Sequence, residues 1–249
     1  MMKKRIGACL LAAVLAAPCT APAVYASAAK QEAAQPVRED AAERETLDIT
    51  RKTYQEEFKT EDGQVYKEIS YEYPVAEGGS DAAKAFNKFY KNLRTKWIAA
   101  AKENLEDAKD AALATGGHYS DEVTCEITSS DDKYICVLQS GYAYSMGAHG
   151  TPYRFSYIFD AGTGKKVSAA SILGMTKAQL NKKVRSLYLK KFDKTEVFYP
   201  NRKDVENTLE KMDFNQNLSY LKNGKMRFYA DPYALGPYAA GFIEVAIKL

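Results

Sequence analysis

Residues 139–164 read QSGYAYSMGAHGTPYRFSYIFDAGTG and contain two aromatic runs, each followed by a turn rich in small residues. The first run ends before Met-Gly-Ala-His-Gly at 146–150, and the second ends in Asp-Ala-Gly-Thr-Gly at 160–164. Aromatic residues bounded by Gly and Asp are typical of strands that meet in a hairpin. The stretch therefore predicts two paired strands, at 139–144 and 153–159.

The segments on either side add further strands. Residues 47–74 are strand-like, with a turn at 61–63, and the alternation of Ile69, Tyr71 and Tyr73 predicts one buried face. Asn223-Gly224 indicates a type I′ hairpin turn. The other predicted strands are 123–128, 133–138, 218–221, 226–229 and 242–247. Strands and helices do not alternate regularly, so the predicted fold class is α+β with mainly antiparallel sheets.

Three helices are predicted to pack on these sheets. A long helix at about 81–114 follows an N-cap at Ser80, and shorter helices lie at 176–192 and 201–212. Apolar residues recur every three or four positions along the long helix: Phe86, Phe89, Tyr90, Leu93, Trp97, Ala101, Leu105, Ala108 and Ala112. We expect Trp97 to pack against the sheet, and a ligand platform is the alternative.

The first residues predict export from the cytoplasm. Three cations at 3–5 precede an apolar run and then small residues, as in a secretory signal peptide at 1–26. Cleavage after Ala26 is expected, with Ala28 as the alternative, and 27–45 should be a flexible spacer. A lipoprotein anchored through Cys19 is the less favoured interpretation, because Pro18 fits a lipobox poorly. No later apolar run suits a membrane helix, so no transmembrane anchor is expected in the mature chain.

Charge is distributed unevenly along the chain. The net charge of +3 equals the three cations of the signal peptide, so the mature chain is formally neutral and nucleic acid is not an expected partner. Residues 31–81 carry 14 acidic and 6 basic side chains, whereas 82–249 carry 18 acidic and 25 basic ones. This asymmetry is either ordinary solvated surface or an acidic strip that meets a cationic partner.

The mature chain retains two cysteines, Cys125 and Cys136, in an oxidising location. A hairpin that turns at 129–132 would place one thiol opposite the other. The sequence therefore predicts a structural disulfide between them.

No group of residues resembles a catalytic or metal centre. The only histidines, His118 and His149, lie in unlike contexts, and no Gly-x-Ser-x-Gly occurs. We expect no metal and no cofactor, and we interpret Asp160 and Asp231 as turn residues. His118 is interpreted as an exposed loop residue. His149, between small residues, serves either in recognition or in hydrogen bonds that hold its turn.

Tyrosine is the remaining chemical signal, with 18 residues in the chain. Tyrosine combines apolar area with a hydroxyl at low entropic cost, which suits protein or saccharide surfaces, although alternation also places many tyrosines in a sheet core. Several lie around 142–150 and 232–241: Tyr142, Tyr144, Tyr153, Tyr157, Tyr229, Tyr233 and Tyr238.

The motifs at 142–150 and 159–165 resemble a family pattern of an aromatic strand, Gly-Gly-Ala-His-Gly and Phe-Asp-x-x-Thr-Gly-Lys. Residues 233–241, followed by a terminal strand, are similar to the closing Pro-Tyr-Ala-Ala-Gly of the same family. It is the extracytoplasmic domain of unknown function found in RsiV-type anti-sigma factors and beside the catalytic domain of PdaC-type peptidoglycan deacetylases. Met146 departs from the pattern, which often has Gly at that position.

The resemblance implies a domain at 46–138 similar to the PdaC/RsiV partner domain and a domain at 139–249 similar to the RsiV-like one. In RsiV-type anti-sigma factors, the region that this chain resembles is similar to a receptor for lysozyme. No signalling or catalytic part is expected here, so the implied role is a secreted, non-enzymatic binding module of the cell envelope. The expected partner is lysozyme or a related muralytic protein, with peptidoglycan as the alternative and a cell-wall enzyme ranked last. The expected binding residues are His149, Tyr142, Tyr144, Tyr153, Tyr233 and Tyr238.

Overall fold

The structure is a computed structural model that describes residues 46–249. The predicted signal peptide, the spacer and Cys19 lie outside the described residues. The elements are β1 (Ile49–Lys59), β2 (Val65–Ala76), α1 (Asp81–Ala101), α2 (Leu105–Thr115), β3 (Tyr119–Ser130), β4 (Tyr134–Tyr144), β5 (Thr151–Asp160), β6 (Lys166–Val167), α3 (Ala169–Ile172), α4 (Lys177–Phe192), α5 (Arg202–Lys211), β7 (Ser219–Lys222), β8 (Lys225–Ala230) and β9 (Ile243–Lys248). Within 46–249, no helix is both long enough and apolar enough to cross a bilayer.

Two sheets organise these elements. The first sheet has six strands in the order β1-β2-β3-β4-β5-β6, and the second has three in the order β7-β8-β9. All neighbours are antiparallel except β2 and β3, which run parallel because α1 and α2 connect them across the sheet. The expected α+β class with mainly antiparallel sheets is confirmed. The Asn223-Gly224 turn is also confirmed, since both residues have positive φ, of 53° and 66°.

The expected single long helix is instead two helices, because the backbone leaves the helical path at residues 102–104. Asn104 provides the physical reason. Its Oδ1 accepts a hydrogen bond of 2.6 Å from Nζ of the fully buried Lys67, which also pairs with Asp121 at 2.6 Å. A buried ammonium group needs such partners, and a turn that presents Asn104 to Lys67 supplies one.

The central strands β4 and β5 are buried on both faces. Ile135, Val137, Phe155 and Phe159 join a core with α1, where Trp97 is 4% exposed and packs as expected. The alternate residues Cys136, Leu138 and Ile158 join a second core: it contains Leu180, Val184 and Tyr188 of α4, Val205 and Leu209 of α5, and the β7–β9 sheet. The first sheet is thus the middle layer between two groups of elements. The expected domain boundary at 138/139 falls inside β4.

The predicted disulfide is wrong, since Cys125 and Cys136 are both free thiols. Cys125 is paired in register with Gln139, and Cys136 with Ser129. The hairpin turns later than expected because Oδ1 of Asp131 accepts the backbone N–H groups of residues 133 and 134, and a bulge adds one more residue near 128. The two thiols consequently belong to the two different cores, on opposite faces of the sheet.

Candidate functional site

The turn between β4 and β5 is fixed by local contacts. Met146 adopts a positive φ of 60°, a conformation that costs a residue with a side chain of the order of 1 kcal/mol. The backbone N–H of Gly150 donates to the Tyr142 hydroxyl at 2.7 Å, and the Tyr144 hydroxyl donates to the Gly147 carbonyl at 3.3 Å. A Cβ on Gly150 would lie 2.5 Å from the Tyr142 ring, so only glycine fits there. The turn therefore holds His149 at a defined position.

A second loop, at residues 231–241, approaches this turn from the other sheet. It begins where β8 ends, and the backbone N–H of Ala234 donates to the Asp231 carbonyl at 3.0 Å. Tyr233 lies in the left-handed region with φ of 68°, although it is not glycine. A short 3-10 helix, Tyr238–Ala240, follows. Backbone strain of this kind often marks sites where the position of one side chain matters.

The end of β4 and the two loops bring four aromatic side chains together, which we term the aromatic cluster: Tyr142, His149, Tyr233 and Tyr238. The His149 ring stacks on the Tyr238 ring with centroids 4.0 Å apart, and its Nε2 lies 3.2 Å from the Tyr233 hydroxyl. The rings of Tyr233 and Tyr238 are 5.7 Å apart. The pKa of Tyr238 is raised, mainly by its partial burial and to a smaller extent by the neighbouring Tyr142 and Tyr233.

The aromatic cluster faces solvent. Tyr233 is 53% exposed and Tyr142 is 37% exposed, which makes them two of the large apolar side chains most open to water. His149 is exposed as well. Its Nδ1 lies 2.9 Å from the Gly150 carbonyl, so the ring makes one contact within its own turn and others with the second loop. The two roles that the sequence left open for His149 are thus compatible in one geometry.

The other two expected binding residues are placed elsewhere. Tyr153 lies on the opposite face of the sheet, where its hydroxyl accepts the indole N–H of Trp97 at 3.0 Å. Tyr144 is half-buried and contacts its own turn. Tyr157 and Tyr229, which also flank the two motifs, are buried in the cores. The alternation of side chains along a strand explains why Tyr142 and Tyr153 are apart. Tyr142 is paired with Pro152, so its side chain and that of Tyr153 lie on opposite faces of the sheet.

A polar network joins the two sheets on the face of β5 away from α1, and sequence reasoning missed it. The Arg154 guanidinium on β5 pairs with Glu244 on β9 at 2.8 Å and lies 4.0 Å from the centroid of the Phe242 ring. Glu244 also accepts the Tyr220 hydroxyl at 3.0 Å and pairs with Arg227 at 3.4 Å. Burial, together with Glu244, raises the pKa of Tyr220 to about 12. The one hint in the sequence was a charged residue, Arg154, between the aromatic residues Tyr153 and Phe155.

Asp231 begins the second loop beside the same network. Burial raises the pKa of its carboxyl to about 6, and the nearby Arg154 charge opposes part of that increase. Its Oδ1 is buried and accepts no hydrogen bond from the described residues. Asp231 is therefore more than a turn residue, because its ionisation is coupled to the junction between the sheets.

Among residues 46–249, no group of three or more His, Cys, Asp or Glu side chains is arranged to hold a metal ion. His118 is exposed and is not a member of the aromatic cluster. The aromatic cluster is a surface of stacked rings and hydroxyl groups. Such a surface offers apolar contact and hydrogen bonds to a partner.

Two family matches divide the chain. Residues 59–151 match the family described as "Deacetylase PdaC", and residues 173–249 match "Protein of unknown function (DUF3298)". This is a PdaC/DUF3298-type protein. In this PdaC/DUF3298-type chain, Tyr142 and His149 come from the first matched region, and Tyr233 and Tyr238 come from the second. The aromatic cluster is therefore built at the junction of the two.

Two solved structures share the fold of this PdaC/DUF3298-type protein. A member of the DUF3298 family from Bacteroides fragilis has 16% sequence identity and a TM-score of 0.55, over 81% of this chain and 90% of that one. A DUF3298 family protein from Pseudomonas aeruginosa has 16% identity and a TM-score of 0.52, over 83% of this chain and 93% of that one. No curated protein sequence matches the chain.

Proposed function

We propose that this protein is a secreted, non-enzymatic binding module of the cell envelope that recognises lysozyme or a related muralytic protein through the aromatic cluster. The observation that carries the proposal is the convergence of four ring side chains on one exposed surface, with His149 and Tyr233 in contact although they are 84 residues apart in the chain. Secretion rests on the signal-peptide pattern of residues 1–26.

The composition of the aromatic cluster suits protein recognition. Tyrosine is enriched at binding hot spots because it combines a large apolar area with a hydroxyl group and few rotatable bonds. The stack of His149 on Tyr238 and the fixed turn conformations leave little freedom to lose on binding. Preorganised aromatic side chains of this kind favour recognition over a role limited to local stability.

Exposed acidic side chains near β1 and β2 favour a cationic partner. Several carboxylates of β1, β2 and the loops beside them are exposed: Glu57, Glu61, Asp62, Glu68 and Glu77. They belong to the acidic stretch of the sequence, and a cationic muralytic protein would be attracted to them over a distance of about a Debye length. Such steering raises the association rate more than the affinity, so we expect the aromatic cluster to supply most of the affinity.

A glycan is the second candidate ligand. Exposed rings such as Tyr233, with hydroxyl groups at their edges, also stack on sugars, and the resemblance to PdaC-type proteins connects the fold with peptidoglycan. Both hypotheses place the ligand on the aromatic cluster. They differ only in whether that ligand is a protein or a glycan.

Calorimetric titration of residues 27–249 with lysozyme, and separately with soluble muropeptides, tests the proposal. We expect heat with lysozyme, an affinity that falls as salt rises, and a loss of at least about tenfold for Tyr233→Ala, the size of a hot-spot truncation. Tyr199→Ala is the matched control, because Tyr199 is 36% exposed and lies outside the aromatic cluster.

Three results would count against the proposal. Absence of heat with lysozyme at high micromolar concentration removes its main support. Heat with muropeptides alone moves the assignment to the glycan. Release of acetate or cleavage products from muropeptides by the pure protein would show an enzyme instead.

A further inference from the structure

Helix α4 is strongly and asymmetrically charged. It carries six cations and no carboxylate: Lys177, Lys182, Lys183, Arg185, Lys190 and Lys191. The apolar face of the helix, Leu180, Val184 and Tyr188, is buried in the second core. Lys182, Lys183 and Lys190 are exposed on the outer side of the helix. Of the other cations, Lys177 pairs with Asp213, and Lys191 donates to the Glu244 carbonyl. Like charges this close repel one another, so an uncompensated row of them costs stability unless a counter-charge is present.

An open cleft of about 560 Å³ lies along this side of α4 and the start of α5. Four cations line it, together with Ser186 and one carboxylate: Lys182, Arg185, Lys190, Arg202 and Asp193. A smaller cleft of about 150 Å³ shares Arg185 and contains Glu206 and Glu210, so the groove is basic at one end and acidic at the other. An anion would be held at the basic end and repelled from the acidic end.

The cations of the cleft are not equally compensated. Arg202 pairs with both Asp193 and Glu206, whereas Lys182 and Lys190 form no ion pair with any residue in 46–249. Arg185 donates Nη2 to the Glu210 carbonyl at 2.7 Å, but its Nε is buried and has no acceptor among the described residues. The Arg185 guanidinium thus has one donor that no described residue accepts, and Lys182 and Lys190 line the same cleft. Guanidinium and ammonium groups are donors that suit an oxyanion.

We propose that this cleft binds a phosphoryl group. Lys182, Arg185 and Lys190 place three cationic donors around a concave site, which suits a tetrahedral oxyanion with several acceptor oxygens. Ser186 adds a hydroxyl group to the same cleft. The volume fits a phosphorylated sugar or a lipid headgroup, and a flat acidic protein surface would not enter it. The cleft shares no residue with the aromatic cluster, so this inference is independent of the proposed function.

Binding of inorganic pyrophosphate to the purified protein, followed by NMR of the side-chain N–H signals, tests the site. We expect the Arg185 Nε–H signal to shift on titration and the affinity to fall as salt rises. Arg185→Gln and, separately, Lys190→Gln should each weaken binding about tenfold, the loss of one charge-assisted hydrogen bond. Lys190 is exposed, so its replacement preserves the fold.

Lys183→Gln is the matched control, because it removes the same charge from the same helix outside the cleft. Its affinity should stay within about twofold of the unmodified protein. An equal loss in Lys183→Gln would show diffuse attraction to the helix and overturn the proposal. So would the absence of binding to every probe at millimolar concentration.

A parallel arm separates the two sources of phosphate. Sedimentation with phosphatidylcholine vesicles, with and without phosphatidylglycerol, reports on a lipid headgroup. Binding to pyrophosphate without vesicle binding assigns a soluble phosphorylated ligand, and binding to the anionic vesicles assigns a headgroup. Vesicle binding that Arg185→Gln leaves unchanged would contradict the cleft as the site.

Discussion

Nε2 of His149 lies 3.2 Å from the hydroxyl of Tyr233, although the two residues are 84 positions apart in the chain and belong to loops of different sheets. His149 follows β4, and Tyr233 follows β8. The contact exists because the second sheet packs on the face of the first sheet that carries Cys136 and Ile158. The relative position of the two sheets therefore determines the geometry of the aromatic cluster.

This contact should be measurable as a coupling between the two residues. We expect His149→Ala and Tyr233→Ala to be non-additive by about 0.5–1 kcal/mol in the free energy of unfolding, as is typical of ring pairs. A chemical denaturation cycle of the two single variants and the double variant measures it. His149→Ala with Tyr199→Ala should be additive, and a coupling of the same size in that control would contradict the specific contact.

Gly150 should tolerate no side chain. Gly150→Ala places a methyl group 2.5 Å from the Tyr142 ring and 2.7 Å from the Ala143 carbonyl, so we expect a loss of about 2 kcal/mol in the free energy of unfolding. Gly147→Ala is the control, because nothing lies within 4 Å of its added Cβ. It should change stability by less than about 0.5 kcal/mol. Equal effects in urea denaturation would mean that Tyr142 does not occupy the described position.

Lys67 should be intolerant of neutralisation on its own. Lys67→Met leaves the partly buried carboxylate of Asp121 without its partner, which should cost about 3 kcal/mol in thermal or urea unfolding. Lys59→Met, which removes an exposed pair with Glu57, should cost less than about 0.5 kcal/mol. Lys67→Met combined with Asp121→Leu should recover much of the loss. If it does not, the interaction with Asn104 is the dominant one.

Asp231 should make stability depend on pH. Its pKa in the folded protein is about 6, above the ordinary value of 3.8, so the folded state binds the proton more tightly. The stability contributed by protonated Asp231 is complete below about pH 3.8 and is lost as the pH rises through 6. Asp231→Asn should remove this loss and stabilise the protein by about 2 kcal/mol at neutral pH.

Urea denaturation between pH 4 and 7 measures the effect of Asp231, with Asp110→Asn as the control because Asp110 is exposed on α2. The control should show the same pH dependence as the unmodified protein. An Asp231→Asn variant that is less stable at neutral pH would contradict the raised pKa of this carboxyl.

Both thiols should be free and unreactive in the native protein. Burial raises the pKa of Cys125 to about 12 and that of Cys136 to about 11, so almost no thiolate is present at pH 8. We expect no labelling by iodoacetamide at either position under native conditions and complete labelling in denaturant without reductant. Peptide mass spectrometry reads out each site. A linked Cys125–Cys136 peptide would restore the disulfide that the register excludes.

Local patterns in the sequence predicted most of the secondary structure. The alternation of Ile69 and Tyr71, the N-cap Ser80 and the Asn223-Gly224 turn all act over a few residues, and each occurs where expected. The motifs at 142–150 and 233–241 also identified the family from their residues alone. Strand alternation, helix caps and tight turns can be predicted in this way because the contacts that form them join residues close together in the chain.

The hairpin register and the break in the long helix did not follow from these patterns. The hairpin register, and with it the faces of Cys125 and Cys136, was decided by the Asp131 turn and a bulge. The break in the long helix was decided by the buried Lys67, which is 37 residues from Asn104. A one-residue change in register or one buried charge is energetically decisive, yet it leaves hardly any trace in periodicity.

The sequence by itself thus determined the α+β class, the family motifs and which residues carry aromatic rings. Only the tertiary structure decided that Tyr142, His149, Tyr233 and Tyr238 form one surface while Tyr153 packs against Trp97 on the other face. The physical reason is that strand alternation gives every side chain a face. Which face meets solvent and which meets a second sheet follows from packing the whole chain.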